Sequence, residues 1–210
     1  MSKVIEVIDL GINNLTSVVK AFSGKNEEVE VRKSDEDRAT PKLIVLPGLG
    51  KFASGMEALQ RRKLVSYIQQ RAKSGVPIVG ICLGMQLLGD SSDESTGAMG
   101  LGLIAGESRK LIPAHGERVP HVSWASTQLL KDQLLFPSLE SKKDFYFVHS
   151  YVFEPLNRNV ILSQTEFGLT KFTSSVRQEN VVGFQFHPEK SGNIGKQLVS
   201  EVLSWVSDET

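Results

Sequence analysis

Cys82 is the single cysteine of this 210-residue chain, and it stands midway between Gly80 and Gly84, directly after the apolar run 77–81. A lone cysteine is ordinarily a small buried hydrophobe. Here its setting is that of a nucleophile. A side chain that must project from the end of a strand sits on a sharp strand-to-helix turn, and small residues two places before and after let the chain turn without collision. Such a turn aims the N-terminus of the next helix at the sulfur, where its dipole and free N–H groups favour thiolate and bind an anion. Glycine makes up 18 of the 210 residues, so two flanking glycines arise by chance only about 0.7% of the time.

A thiolate nucleophile needs a base that later serves as acid to the leaving group. The histidines are His115, His121, His149 and His187. The stretch GFQFHPEK, residues 183–190, favours His187. Pro188 biases it toward an extended backbone, and residues two apart in an extended chain share a face. Glu189 can therefore orient the imidazole and stabilise its charged form, giving a Cys82-His187-Glu189 triad. For the oxyanion, the backbone N–H of Leu83 supplies one donor. The loop Pro47-Gly48-Leu49-Gly50 follows a neighbouring apolar strand and supplies a second, because its glycines let the peptide around Leu49 and Gly50 take either orientation.

These parts need a scaffold, and the chain spells one out. Residues 4–10, 29–31, 43–46 and 77–81 read as strands, with helical spacing over 14–22 and 56–73 between them and over the segment after Cys82. Strands alternating with helices predict an α/β fold: a mostly parallel central sheet with helices on both faces. Beyond residue 100, segments 101–104, 107–112, 145–149, 151–153, 160–163, 169–173 and 181–186 read as short strands with little helix. They are expected to form an antiparallel extension of the same sheet, closed by a last helix over 196–206. No repeat or linker interrupts the chain, so one domain is expected over residues 1–210.

Lys+Arg and Asp+Glu both total 24, a balance that argues against a nucleic-acid binder with its basic stripe. A single cysteine suits a reducing compartment. The N-terminus alternates apolar and polar residues, unlike a signal peptide, and no stretch has the length of a membrane span. The expectation is a soluble, cytoplasmic protein.

The segments DLGINNLTSVVKA, LPGLGKF, GICLGMQLL, GLGLI, VPHVSW, FVHSY and QFHPEKSG, in that order, resemble the class I (triad) glutamine amidotransferases. VPHVSW and FVHSY point more narrowly to the glutaminase subunits of imidazole glycerol phosphate synthases, in histidine biosynthesis. Three departures stand out: Leu49 where that branch usually has valine, Asn13 where it has glycine, and Ser123 and Ala125 within the PHVSWA stretch. The resemblance implies that Gln86, Gly50, Ser150 and Tyr151 hold the substrate glutamine, and that Asn14, Trp124 and Lys190 face a partner.

In that reading Cys82 attacks the glutamine carboxamide, His187 protonates the departing ammonia, and water then hydrolyses the thioester. Neither metal nor organic cofactor is required, and no metal-ligand spacing or phosphate loop is present. Ammonia released into water at neutral pH would mostly become ammonium, so it must pass directly to an acceptor. The resemblance implies a separate (β/α)8-barrel cyclase subunit, with the isolated chain held at low activity by the Leu49 peptide. The alternatives are a glutaminase serving another acceptor (pyridoxal-phosphate synthase, anthranilate synthase or nucleotide-sugar amination), a cysteine peptidase, and a non-catalytic protein on the same fold.

Overall fold

The computed structural model describes residues 4–12, 15–24, 27–36, 39–113, 117–130 and 142–208. Its first half alternates as the sequence predicts: β1 (Val4–Ile8), α1 (Thr16–Phe22), β2 (Glu28–Arg32), β3 (Leu43–Gly48), α2 (Phe52–Arg61), α3 (Leu64–Lys73), β4 (Ile78–Cys82) and α4 (Leu83–Leu87). The second half is strand-rich: β5 (Ser91–Ser92), β6 (Gly106–Lys110), β7 (His121–Leu129), β8 (Lys142–His149), β9 (Tyr151–Pro155), β10 (Ile161–Phe167), β11 (Thr170–Gln178) and β12 (Val181–Phe184), closed by α5 (Gly192–Asp208).

Among the described residues, nine strands form one sheet in the order β2-β1-β3-β4-β12-β11-β10-β7-β8. The pairings from β2 through β12 are parallel, and those from β12 out to β8 are antiparallel. The expected α/β sheet with an antiparallel extension is therefore present. Not all the late strands join it, because β5, β6 and β9 make a separate three-stranded sheet.

Alternation along the parallel strands builds two cores, one on each face. Ile5, Val7, Leu43, Val45, Val79 and Ile81 pack with Phe22 of α1 and with Leu198, Val202 and Trp205 of α5. Ile8, Ile44, Leu46 and Ile78 pack with Phe52, Met56 and Leu59 of α2 and with Leu64 and Ile68 of α3.

Two further expectations fail and one strand goes unforeseen, each for a physical reason. The helix expected over 56–73 is two helices, because Lys63 adopts a left-handed backbone with φ 59°. A continuous helix would turn Arg62 and Lys63 inward after Met56 and Leu59; the break re-phases the chain so that Leu64 is buried instead. Residues 101–104 are not a strand. The N–H groups of Leu101, Leu103 and Ile104 bond to the carbonyls of Leu87 and Leu88, so the segment caps the end of α4. The nine-residue β7 gives little apolar alternation, since only His121 and Thr127 of it are fully buried, and periodicity alone passes over it.

Candidate active site

β4 ends on Cys82, whose φ of 54° and ψ of −109° lie outside the ordinary regions for a side-chain-bearing residue. The turn is held by contact on both flanks. A Cβ on Gly84 would come to 1.7 Å from the Leu46 carbonyl oxygen, and one on Gly80 would stand 2.8 Å from the backbone of Gly84. Neither position tolerates a side chain, which is why α4 can lie directly on β3 and β4. The thiol is buried, with Sγ 3.5 Å from the Val148 carbonyl.

His187 follows β12, the parallel neighbour of β4. Its backbone is extended, as Pro188 predicts, with φ −104° and ψ 94°. Glu189 reaches it differently from the expected strand face: residues Pro188–Lys190 form a 3-10 turn, which brings the Glu189 Oε1 to 2.8 Å from His187 Nδ1. The histidine backbone is pinned, its N–H donating to the Tyr146 carbonyl and its own carbonyl accepting from Ser191 Oγ. Burial alone would push the imidazole down. Cys82, by charge and contact, and then Glu189 outweigh burial and push it up to about 10. His187 Nε2 has no hydrogen bond of ordinary geometry among the described residues. Cys82 nevertheless acts on the imidazole, and a nucleophile and its base often tighten only around the reacting substrate.

A cavity of about 190 Å³ opens in front of Cys82, and Leu49, Gly50, Leu83, Gln86, Ser150 and Tyr151 line it. Every position named above for the oxyanion or the substrate thus faces one space. The 49–50 loop belongs there because β3 pairs with β4 so that Gly48 lies opposite Cys82. His187 and Glu189 line a second cavity of about 120 Å³ together with Leu15, Pro47, Leu49 and Lys190. Leu49 borders both spaces.

Trp124 is 53% exposed on β7 and meets Tyr146 edge-on at 6.0 Å between ring centroids. A Cβ on Gly192 would lie 3.9 Å from its ring, so Trp124 stands over the start of α5, close in sequence to the exposed Lys190. Asn14 lies outside the described residues, as does His115.

Two residues of the site escaped the sequence reading. Gln185 is fully buried; its Oε1 accepts from Gln86 Nε2 at 3.2 Å, and its own Nε2 lies 3.8 Å from Cys82 Sγ. The available signal was a polar residue inside the apolar run 181–186, two before His187. Glu94 lines the cavity while its Oε2 accepts the Phe52 N–H at the start of α2, 2.7 Å away. Nothing in its surrounding turn sequence marks it.

A strained cysteine at a strand–helix elbow with a cavity in front of it, and a histidine–carboxylate pair just after the adjacent strand, are the equipment of acyl transfer through a thioester. The chain belongs to the glutamine amidotransferase class-I family, whose pattern matches residues 6–203. It is 41% identical over 195 residues to the imidazole glycerol phosphate synthase subunit HisH of Moorella thermoacetica, covering 93% of this chain and 91% of that protein. To the protein of the same name from Pyrococcus furiosus it is 40% identical, covering 93% and 95%. In fold it is similar to a solved glutamine amidotransferase, with a TM-score of 0.76 at 18% identity over 97% of this chain and 98% of that one. A chain of the PurLQS structure from Thermotoga maritima aligns with the same TM-score at 19% identity, over 98% and 99%.

Proposed function

We propose that the chain, as one glutaminase domain, is the subunit of an imidazole glycerol phosphate synthase that releases ammonia from glutamine for histidine biosynthesis. The observation that carries the chemistry is the positive-φ Cys82 with the His187–Glu189 pair beside it and the cavity in front. Glutamine lies in that cavity, its amide toward Cys82 and its amino-acid end toward Gln86, Ser150 and Tyr151. The Glu94 carboxylate at the rim suits the ammonium group.

The Cys82 thiolate attacks the carboxamide carbon, and the carbonyl electron pair moves onto oxygen. The N–H groups of Leu83 and of the Leu49–Gly50 loop stabilise that oxyanion. Collapse reforms the carbonyl and breaks the C–N bond, with the proton on His187 Nε2 passing to the leaving nitrogen so that ammonia departs. Water then adds to the thioester as His187 takes its proton. Glutamate leaves, and the Cys82 thiolate is restored. Glu189 holds the imidazole in one tautomer and stabilises its charged form throughout.

The acceptor is a separate (β/α)8-barrel cyclase subunit. The second cavity, on the His187 side and lined also by Lys190, is where we place the route by which ammonia leaves. The exposed Trp124 and Lys190 lie on the face proposed for docking, and Asn14 is assigned to it from sequence. Among the described residues no helix is long and apolar enough to cross a membrane, and the one free thiol fits a reducing cytoplasm.

The test is glutamate formation from glutamine by the purified chain, with and without the cyclase subunit and its ribonucleotide ligand. Stimulation on the order of 10²-fold or more, matching an oxyanion donor brought into place, and abolished by Cys82→Ala, is the expected result. Cys82-dependent turnover indifferent to the cyclase would point to another acceptor.

A further inference from the structure

Two buried histidines have no part in the steps above. His121 opens β7 and His149 ends β8, opposite one another in the pairing register, and they are only 1% and 6% exposed. All four of their ring nitrogens are engaged. His149 Nδ1 lies 3.1 Å from the Tyr151 carbonyl, His149 Nε2 lies 3.1 Å from His121 Nδ1, and His121 Nε2 lies 2.8 Å from Ser123 Oγ.

With both rings neutral, these contacts leave one arrangement of protons. A carbonyl oxygen only accepts, so His149 Nδ1 carries the hydrogen and its Nε2 presents a lone pair. His121 Nδ1 must then donate to that lone pair, and His121 Nε2 accepts from the Ser123 hydroxyl. The chain runs on past the histidines. The Tyr151 carbonyl also accepts from Gln86 Nε2 at 2.9 Å, Gln86 donates to Gln185 Oε1, and Gln185 Nε2 reaches Cys82 Sγ. Polar groups thus connect Ser123 on β7 to the nucleophile without a gap.

Aromatic packing fixes the rings. Phe147 stacks on His121 at 5.1 Å between centroids, Phe167 lies at 4.3 Å, and Phe172 meets His149 edge-on at 5.0 Å. A phenylalanine would suit this surrounding at no desolvation cost, whereas two imidazoles there must be hydrogen-bonded to be tolerated. His149, Ser150 and Tyr151 are the cavity wall facing Cys82.

We propose that His121 and His149 are a positioning pair for glutamine: locked in one set of tautomers, they hold the Tyr151 carbonyl, and through it the Gln86 amide and the 149–151 wall, in the geometry that seats the substrate. The proposal rests on the glutaminase reading. Burial keeps the device from titrating in use, pushing His121 down to about 4 and His149 to about 3. The titratable groups acting on His149 are His121 and His187, and its other ring neighbours are the phenylalanines. A proton added to His149 Nε2 would force the His121 hydrogen from Nδ1 to Nε2 and reverse the bond to the Ser123 hydroxyl.

The experiment compares His121→Phe, His149→Phe and His149→Asn with wild type, each in complex with the cyclase subunit. It reads KM and kcat for glutamine, the melting midpoint, and the rates of Cys82 alkylation by a glutamine-shaped chloroketone and by iodoacetamide, which has no amino-acid end. Loss of one positioned hydrogen bond predicts a rise of about tenfold in KM and an equal slowing with chloroketone, while kcat and iodoacetamide rates stay within about threefold. The asparagine amide can still reach the Tyr151 carbonyl, so His149→Asn should recover most of the loss. If a phenylalanine variant does not fold, His149→Asn against His149→Gln makes the same comparison, since glutamine places its amide where Nε2 was. An unchanged KM, an equal slowing with both reagents that tracks the melting midpoint, or an asparagine variant no better than phenylalanine overturns the pair's role. A wild-type protein that neither consumes glutamine nor prefers the chloroketone overturns the glutaminase reading itself.

Discussion

Two buried clusters in this molecule are each built on a carboxylate, a cation and a third polar side chain, and they are completed differently. Glu6, on β1, takes Arg32 Nε at 2.7 Å and Nη2 at 2.5 Å, plus the Tyr67 hydroxyl at 2.6 Å. Arg32 also donates to the carbonyls of Ser34 and Glu36 and lies 4.3 Å over the Tyr67 ring. Burial and then Glu6 push the Tyr67 hydroxyl up to about 12. Polar capacity there is spent inside the fold. In the Cys82-His187-Glu189 cluster a single bond of ordinary length joins histidine to carboxylate, while His187 Nε2 and Glu189 Oε2 are buried with no hydrogen-bond partner among the described residues. Buried polar atoms are nearly always paired, and the unfilled His187 and Glu189 atoms fit the proton-carrying role proposed for that cluster. The satisfied one ties β1 and β2 to α3.

The comparison can be broken in several ways. Cys82→Ala should lower glutamine turnover by at least about 10³-fold, because the covalent step has no other nucleophile; the variant should still fold cooperatively. Glu189→Gln should cost on the order of 10²–10⁴ in kcat through loss of the correct tautomer, with little change in KM. Arg32→Met should do the reverse. It leaves Glu6 buried with the Tyr67 hydroxyl but no cation, at a cost of about 3–5 kcal/mol of stability read by urea denaturation, while the glutamine KM of the folded fraction is unchanged. Replacing Glu6, Arg32 and Tyr67 together by apolar residues of like volume should recover most of that loss, a result impossible in the catalytic cluster.

The smallest effect is in the pH dependence of stability. The folded pKa of His187, about 10, exceeds the ordinary 6.5. Its contribution is therefore fully present below about pH 6.5 and is lost as pH rises through about 10. His121 and His149, at about 4 and 3, lie below 6.5. Their contribution is present above about pH 6.5 and is lost as pH falls through those values. Melting midpoints should thus fall on each side. Cys82→Ala should flatten the alkaline side, and His121→Phe the acid side. Curves unchanged by either substitution would separate these histidines from the stability of the fold.

Much of this was readable in the sequence because the determining interactions are local. The Gly80-Cys82-Gly84 elbow is a steric requirement met within five residues, and Pro188 extends His187 through its own ring. Alternation of strand and helix up to Cys82 announces the parallel half of the sheet. The reading weakened where neighbours far along the chain decide. The left-handed break at Lys63 follows from which side chains the sheet must cover. β7 is a strand because β8 and β10 flank it, whatever its own pattern. Glu94, Gln185 and the two buried histidines acquire meaning only from what stands opposite them.

The sequence by itself determined which cysteine, histidine and carboxylate are the candidates for the chemistry, and the order of elements that carries them, since backbone strain, proline geometry and apolar period act over a few residues. Only the tertiary structure decided that six further positions, from Leu49 to Tyr151, share one cavity, that Glu189 arrives by a 3-10 turn, and that Ser123 is linked to Cys82 by an unbroken line of polar contacts. Those facts depend on strand order and register, which set neighbours across as many as 103 residues of chain and leave no trace in any short stretch of it.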